Sequence, residues 1–122
     1  MARSARAAVD DHMVAVNLHD AERLMETLHF PFVQLWPDGQ VVFEATSEGA
    51  GSQYRGSVLG TEWHHSTVEQ ATELTKADEA VAFRVEFTRR REDDSVIARY
   101  EAVWVTTQRD DVWRIQFRHG PN

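Results

Sequence analysis

A chain of 122 residues with 42% hydrophobic content and no cysteine is expected to be one domain, spanning residues 1–122, without a disulfide framework or thiolate metal sites. The formal net charge of −7 lacks the basic footprint of a nucleic-acid binder and is repelled by an anionic membrane surface. No apolar run is long enough to span a bilayer, and MARSARAAVDDH has no apolar h-region, so a cytoplasmic protein is expected.

Ser4 is placed to cap a first helix running to about residue 17, with Ala5, Ala8, Val9, Met13 and Val16 forming one apolar stripe. Asn17, Leu18 and His19 break it, and Asp20 caps a second helix, AERLMETL, whose inner face is Leu24, Met25 and Leu28. Pro31 is expected to end this helical region, because proline has no N–H and disfavours helix in the residue before it. FVQLW and QVVFE flank Pro37-Asp38-Gly39 and read as a hairpin. Residues 45–60 contain Gly49, Gly51, Gly56 and Gly60 and read as a loop with one short helix begun by Thr46 or Ser47. That segment is the expected mobile lid.

A strand from residue 63 to about 75 follows, closed by a turn at 76–79. Then AVAFRVEFTRR, VIARYEAVWVTTQ and VWRIQFRH are separated by short charged turns and form an antiparallel meander. Period-two alternation assigns the faces. Val81, Phe83, Val85 and Phe87 share one face of their strand, and Tyr100, Ala102 and Trp104 one face of the next. On the last strand Trp113, Ile115, Phe117 and His119 are expected inside, with Arg114, Gln116 and Arg118 outside. Both sheet faces carry apolar groups, so a homodimer through the open face is expected.

NLHDAERLMETLHF resembles the second-helix entry of the nuclear-transport-factor-2-like superfamily, which includes SnoaL-like and ketosteroid-isomerase-like proteins. YEAVWVTTQRDDVWRIQFRH resembles the last hairpin of that superfamily, and the match extends over nearly the whole chain in order and spacing. LHFPFVQLWPDGQVVF and WHHS resemble an uncharacterised bacterial branch. The resemblance implies an α+β, NTF2-like (cystatin-like) cone, with N-terminal helices packed on a strongly bent, mainly antiparallel sheet. It also implies a mouth for small, mostly apolar ligands, a pocket position near His119 and dimerisation through the sheet. The superfamily's enzymes use a pocket carboxylate as base. Here Asp78, Asp93, Asp94, Asp110 and Asp111 all fall in turns, which argues against steroid-isomerase-type chemistry.

The candidate chemistry is carried by few residues. His64 and His65 are adjacent on a strand, so only one of them faces the cone, where an imidazole near neutral pH serves as a general base. The bland reading places both at a strand start in solvent. His119 is a pocket residue by resemblance or a fraying terminal residue. His29 suits the helix C-terminus dipole. Glu101 and Glu86 read as an outer charge ladder with Arg84 and Arg99, and Glu101 becomes a base only if the faces are inverted. Trp63, Tyr100 and Trp104 read as core, with polar atoms that need partners. No metal-ligand spacing and no cofactor motif is present, so none of either is expected.

Three functions are consistent with this pattern. The first is a protein that binds a small, largely apolar molecule through His29, Trp63, His65, Tyr100, Trp104 and His119. The second is an isomerase, cyclase or dehydratase using His64, His65 or Glu101 as base opposite a donor such as Tyr100. The third is a non-catalytic dimeric interaction domain.

Overall fold

Ser4 stands ahead of a run rich in alanine and accepts a hydrogen bond from the Ala7 amide through its hydroxyl, so α1 (Ala5–Asn17) starts at its cap. The computed structural model describes residues 2–47 and 62–121. The buried side of α1 is Ala8, Val9, His12, Met13, Ala15 and Val16. His19, with a left-handed φ of 56°, turns the chain, and Asp20 caps α2 (Ala21–Met25) by accepting from the amides of Glu22 and Arg23.

The second helix is shorter than its sequence suggests. Leu28 pairs with Ile115, and the Ile115 amide donates to the Thr27 carbonyl, so sheet pairing overrides helical propensity and β1 runs over Leu28–Leu35. Pro31 therefore lies inside a strand. It sits in the irregularity between Leu28 and Val33, where a missing N–H interrupts no regular ladder bond. The turn at Pro37-Asp38-Gly39 is as expected. Gly39 takes φ 92°, and β2 (Val41–Glu44) returns antiparallel to β1.

The meander follows as β3 (His65–Lys76), β4 (Ala80–Arg90), β5 (Val96–Arg109) and β6 (Val112–His119). Asp110 and Asp111 both have positive φ, 50° and 63°, the geometry of a two-residue hairpin turn that matches strand twist. Among the described residues the strand order is β2-β1-β6-β5-β4-β3, with only the β1–β6 pair parallel. This is an α+β fold, with a bent sheet carrying the helices on its concave face. Val9, Met13 and Val16 of α1 join Val81, Phe83, Val85, Phe87, Trp104 and Ile115 in one core.

One face assignment changes. The β5–β6 register shifts between Val105 and Thr106: Thr106 pairs with Ile115, but Val105 pairs with Phe117. Gln116 is the extra residue of a bulge, and a one-residue slip moves every later side chain to the other face. Arg118 thus enters the interior opposite Trp104, while Phe117 and His119 turn to the convex side with Val105 and Val103. Of the segment 45–60, read as a glycine-rich loop, short helix and lid, the part from residue 48 on, with Gly49, Gly51, Gly56 and Gly60, lies outside the described residues. Among the described residues no helix is long and apolar enough to cross a membrane.

Candidate functional site

The concave face contains one histidine within an otherwise apolar helix stripe. His12 is 0% exposed and lies four residues from both Ala8 and Val16. Its Nδ1 is 2.7 Å from the Thr27 hydroxyl, and that hydroxyl donates its only proton to the Leu24 carbonyl at 2.7 Å. Thr27 must therefore accept from His12, which fixes the Nδ1–H tautomer and leaves Nε2 as a bare acceptor. Among the described residues Nε2 has no hydrogen-bond partner. Burial, and then the positive charge of Arg118, hold the His12 pKa well below its ordinary value, so the ring is neutral.

Trp104 joins these groups. Its ring meets His12 edge to face, with centroids 5.0 Å apart and planes at 86°, and the Arg118 guanidinium lies 5.0 Å from its centroid. Trp104 is 1% exposed and its Nε1–H has no hydrogen-bond acceptor among the described residues. Arg118 is 4% exposed. Beside it on β1, buried Gln34 donates to the Gly120 carbonyl at 3.0 Å, tying the end of the last strand to the first. Gly120 passes so close to Ala102 that a Cβ would sit 3.1 Å from the alanine Cβ. Among the described residues, the concave interior therefore offers an unused acceptor and an unused donor within an apolar shell.

Most of the residues singled out from sequence lie elsewhere. His64 and His65 sit at the start of β3, with their Nδ1 atoms 2.9 Å apart, and His65 Nε2 contacts Asp94 at 2.9 Å. Asp94, in the β4–β5 turn, is the chain's own partner for this pair. His64 is exposed, and His19 donates from Nε2 to its carbonyl at 2.6 Å. Trp63 is buried, stacks on His19 at 4.6 Å and donates to the Ser66 hydroxyl at 2.8 Å, which makes it part of the core. His29 lies within β1, not at a helix end, so the dipole rationale does not apply. Its Nδ1 is 3.0 Å from the Thr107 hydroxyl. Burial, then Arg109 and Arg114, lower its pKa.

Glu101 is exposed on the convex face, where it pairs with Arg84 at 3.3 Å and stands opposite Glu86 in the ladder. Tyr100 stacks on Phe87 at 5.5 Å, with the Arg89 guanidinium 4.6 Å from its ring. Tyr100 and Glu101 border an open depression of about 370 Å³ with Glu69, Glu86 and Arg99. His119 is exposed, because the bulge turns it outward. Of the candidates, only Trp104 is brought together with the polar groups of the concave interior. His12, Thr27 and Arg118 were not singled out in the sequence. For His12 the clue was its place on the α1 stripe; for Arg118 no local pattern marks the bulge. Among the described residues no cluster of three or more His, Cys, Asp or Glu can hold a metal ion.

No protein-family model matches the sequence, and no curated protein matches it. Solved structures do match. A protein of unknown function with a cystatin-like fold from Nostoc punctiforme superposes with TM-score 0.77 at 8% identity, covering 96% of this chain and 87% of that one. A putative calcium/calmodulin-dependent protein kinase type II association domain from Thiobacillus denitrificans gives 0.75 at 18% identity, covering 96% and 94%. An NTF2-like protein from Cytophaga hutchinsonii gives 0.70 at 16%, covering 93% and 91%. At these identities the likeness is one of fold: the chain has the NTF2-like, cystatin-like architecture expected from its sequence.

Proposed function

We propose that this protein binds a small, largely apolar molecule on the concave face of its sheet, beneath α1. The observation that carries this reading is the convergence of His12, Trp104 and Arg118, all buried, on an apolar interior in which His12 Nε2 and Trp104 Nε1 have no partner among the described residues. Interiors seldom leave such groups unpaired, and unpaired buried polar atoms mark places where another molecule supplies the partner. The fold supports a pocket of this kind without naming its occupant.

Native mass spectrometry of the protein purified from its own host, paired with a thermal-shift screen of small aromatic and alicyclic compounds, tests the reading. A retained molecule, or a compound that raises the Tm of the wild type but not of Trp104→Leu, supports it. A clean spectrum with no stabilising compound rules it out.

A second reading, acid–base catalysis of the isomerase or dehydratase type, is favoured by the Asp94–His65–His64 contact chain, which leaves His64 Nε2 at the surface. It places the chemistry at the start of β3, outside the concave interior. We also propose that the chain pairs with a second copy through its convex face, where apolar side chains run across the strands.

A further inference from the structure

The state of His12 bears on the ligand's chemistry, and this inference rests on the concave-face reading above. The Thr27 hydroxyl, committed to the Leu24 carbonyl, forces His12 to donate from Nδ1 and to present Nε2 as a lone pair. A carbonyl cannot satisfy a lone pair; a group with a proton to give can. The neighbouring Trp104 Nε1–H needs the opposite, an acceptor. We infer that the occupant carries a hydroxyl among its apolar groups, donating to His12 Nε2, and that Trp104 and His12 together select hydroxylated molecules over ketones, aldehydes and hydrocarbons of the same shape.

Two other features sharpen the selection. The interior around His12 is apolar and buried, so a protonated amine is excluded by the cost of desolvating its charge although it also has protons to donate. His12 is held neutral by its surroundings, which keeps it an acceptor and not a second cation. The preference has the asymmetry expected of a buried polar group: a hydrocarbon leaves the lone pair unpaired and a carbonyl meets it with another lone pair, while a hydroxyl satisfies it.

The probes are p-cresol, p-xylene, p-tolualdehyde and 4-methylbenzylamine, which share one ring and differ in the group presented. Binding is measured by calorimetry on the full chain, and the ¹⁵N resonance of His12 Nε2 is followed by NMR. We expect p-cresol to bind about tenfold or more tighter than p-xylene and p-tolualdehyde, the scale of one buried hydrogen bond against an unpaired group. The amine should not bind, and Nε2 should shift upfield only with p-cresol. In His12→Phe the preference for p-cresol over p-xylene should vanish. The NMR readout on the wild type stands if that variant does not fold. If the probes bind with equal affinity and Nε2 does not move, a water occupies the lone pair, and the hydroxyl inference falls while the small-molecule reading survives. If p-tolualdehyde binds best, the tautomer assignment is wrong and the inference falls with it. If no probe binds, the hydroxyl inference falls, and the native spectrum and wider screen above decide the small-molecule reading.

Discussion

Trp104 and Arg118 are ladder partners on β5 and β6, and the Arg118 guanidinium lies 5.0 Å from the centre of the Trp104 ring. This pairing exists only because Gln116 is the extra residue of a bulge. With regular alternation Arg118 would face solvent and His119 the interior. The two positions are thus expected to respond oppositely. Arg118→Ala removes a buried stem and a desolvated cation–π contact and should cost about 2–4 kcal/mol. His119→Ala, at an exposed site, should change stability by less than about 0.5 kcal/mol. Urea denaturation of both variants checks this, and a costly His119→Ala beside a silent Arg118→Ala would restore the unbulged strand.

The neutral state of His12 makes the fold sensitive to mild acid. Its folded pKa lies below the ordinary value of 6.5, so the unfolded chain binds a proton that the folded chain refuses. Stability from this group is complete above 6.5 and falls as pH drops below it, by up to about 1.36 kcal/mol per pH unit until the folded pKa is reached. His29, also lowered, adds in the same direction. Glu69 and Asp93 are lowered from 4.5 and 3.8, so their effects come only in stronger acid. The urea midpoint should therefore fall between about pH 7 and pH 5, and His12→Gln should flatten that slope. A wild-type midpoint constant over this interval would mean that His12 is not held neutral.

Asn17 closes α1 against β3 with its side-chain amide. Its Nδ2 donates to the Ser66 carbonyl and its Oδ1 accepts from the Ser66 amide, both at 2.8 Å, so one side chain replaces a pair of ladder bonds. Asn17→Ala leaves both backbone groups without this partner and should cost about 1–3 kcal/mol. Asn17→Asp keeps the acceptor but puts a carboxylate against the Ser66 carbonyl, and should be no better than alanine. Equilibrium unfolding of the two variants, with hydrogen exchange at the Ser66 amide, tests the clamp. An unchanged exchange rate in Asn17→Ala would remove it.

The architecture was legible because its signals are local. Ser4 and Asp20 cap helices, Pro37-Asp38-Gly39 turns, and three long alternating runs at the C-terminal end make a meander whatever their partners. Alternation also set the faces of β4 and β5, with Phe83, Phe87 and Trp104 buried as read. What failed was non-local. The entry to β1 is decided by pairing with β6 about ninety residues away, so Leu28 and His29 look helical in sequence. The bulge at Gln116 follows from fitting β6 between β1 and β5, and it reverses the positions that chemistry depends on. His12 was hidden for another reason. A histidine among apolar residues reads as a blemish on a stripe until Thr27, fifteen residues on, is seen to fix its tautomer.

The convex face carries a row of apolar residues across the strands, Phe43, Val33, Phe117, Val105 and Ala82, each beside the next by ladder pairing. Val41 and Leu35 run alongside, and Phe43 and Val41 are 63% and 62% exposed. An open sheet with this composition is stable in water only at a cost in hydrated apolar surface, and a second copy of the same face removes it. We expect a homodimer in which this row is central, with the Glu101–Arg84 pair toward one side. Phe43→Asp with Val41→Asp changes two exposed side chains and so should leave the fold intact while weakening association by about tenfold or more. Light scattering after size exclusion gives the mass of each form, and circular dichroism reports whether the variant stays folded. A wild type that is monomeric at high micromolar concentration would sink the dimer, and a folded variant that still dimerises would move the interface off this row.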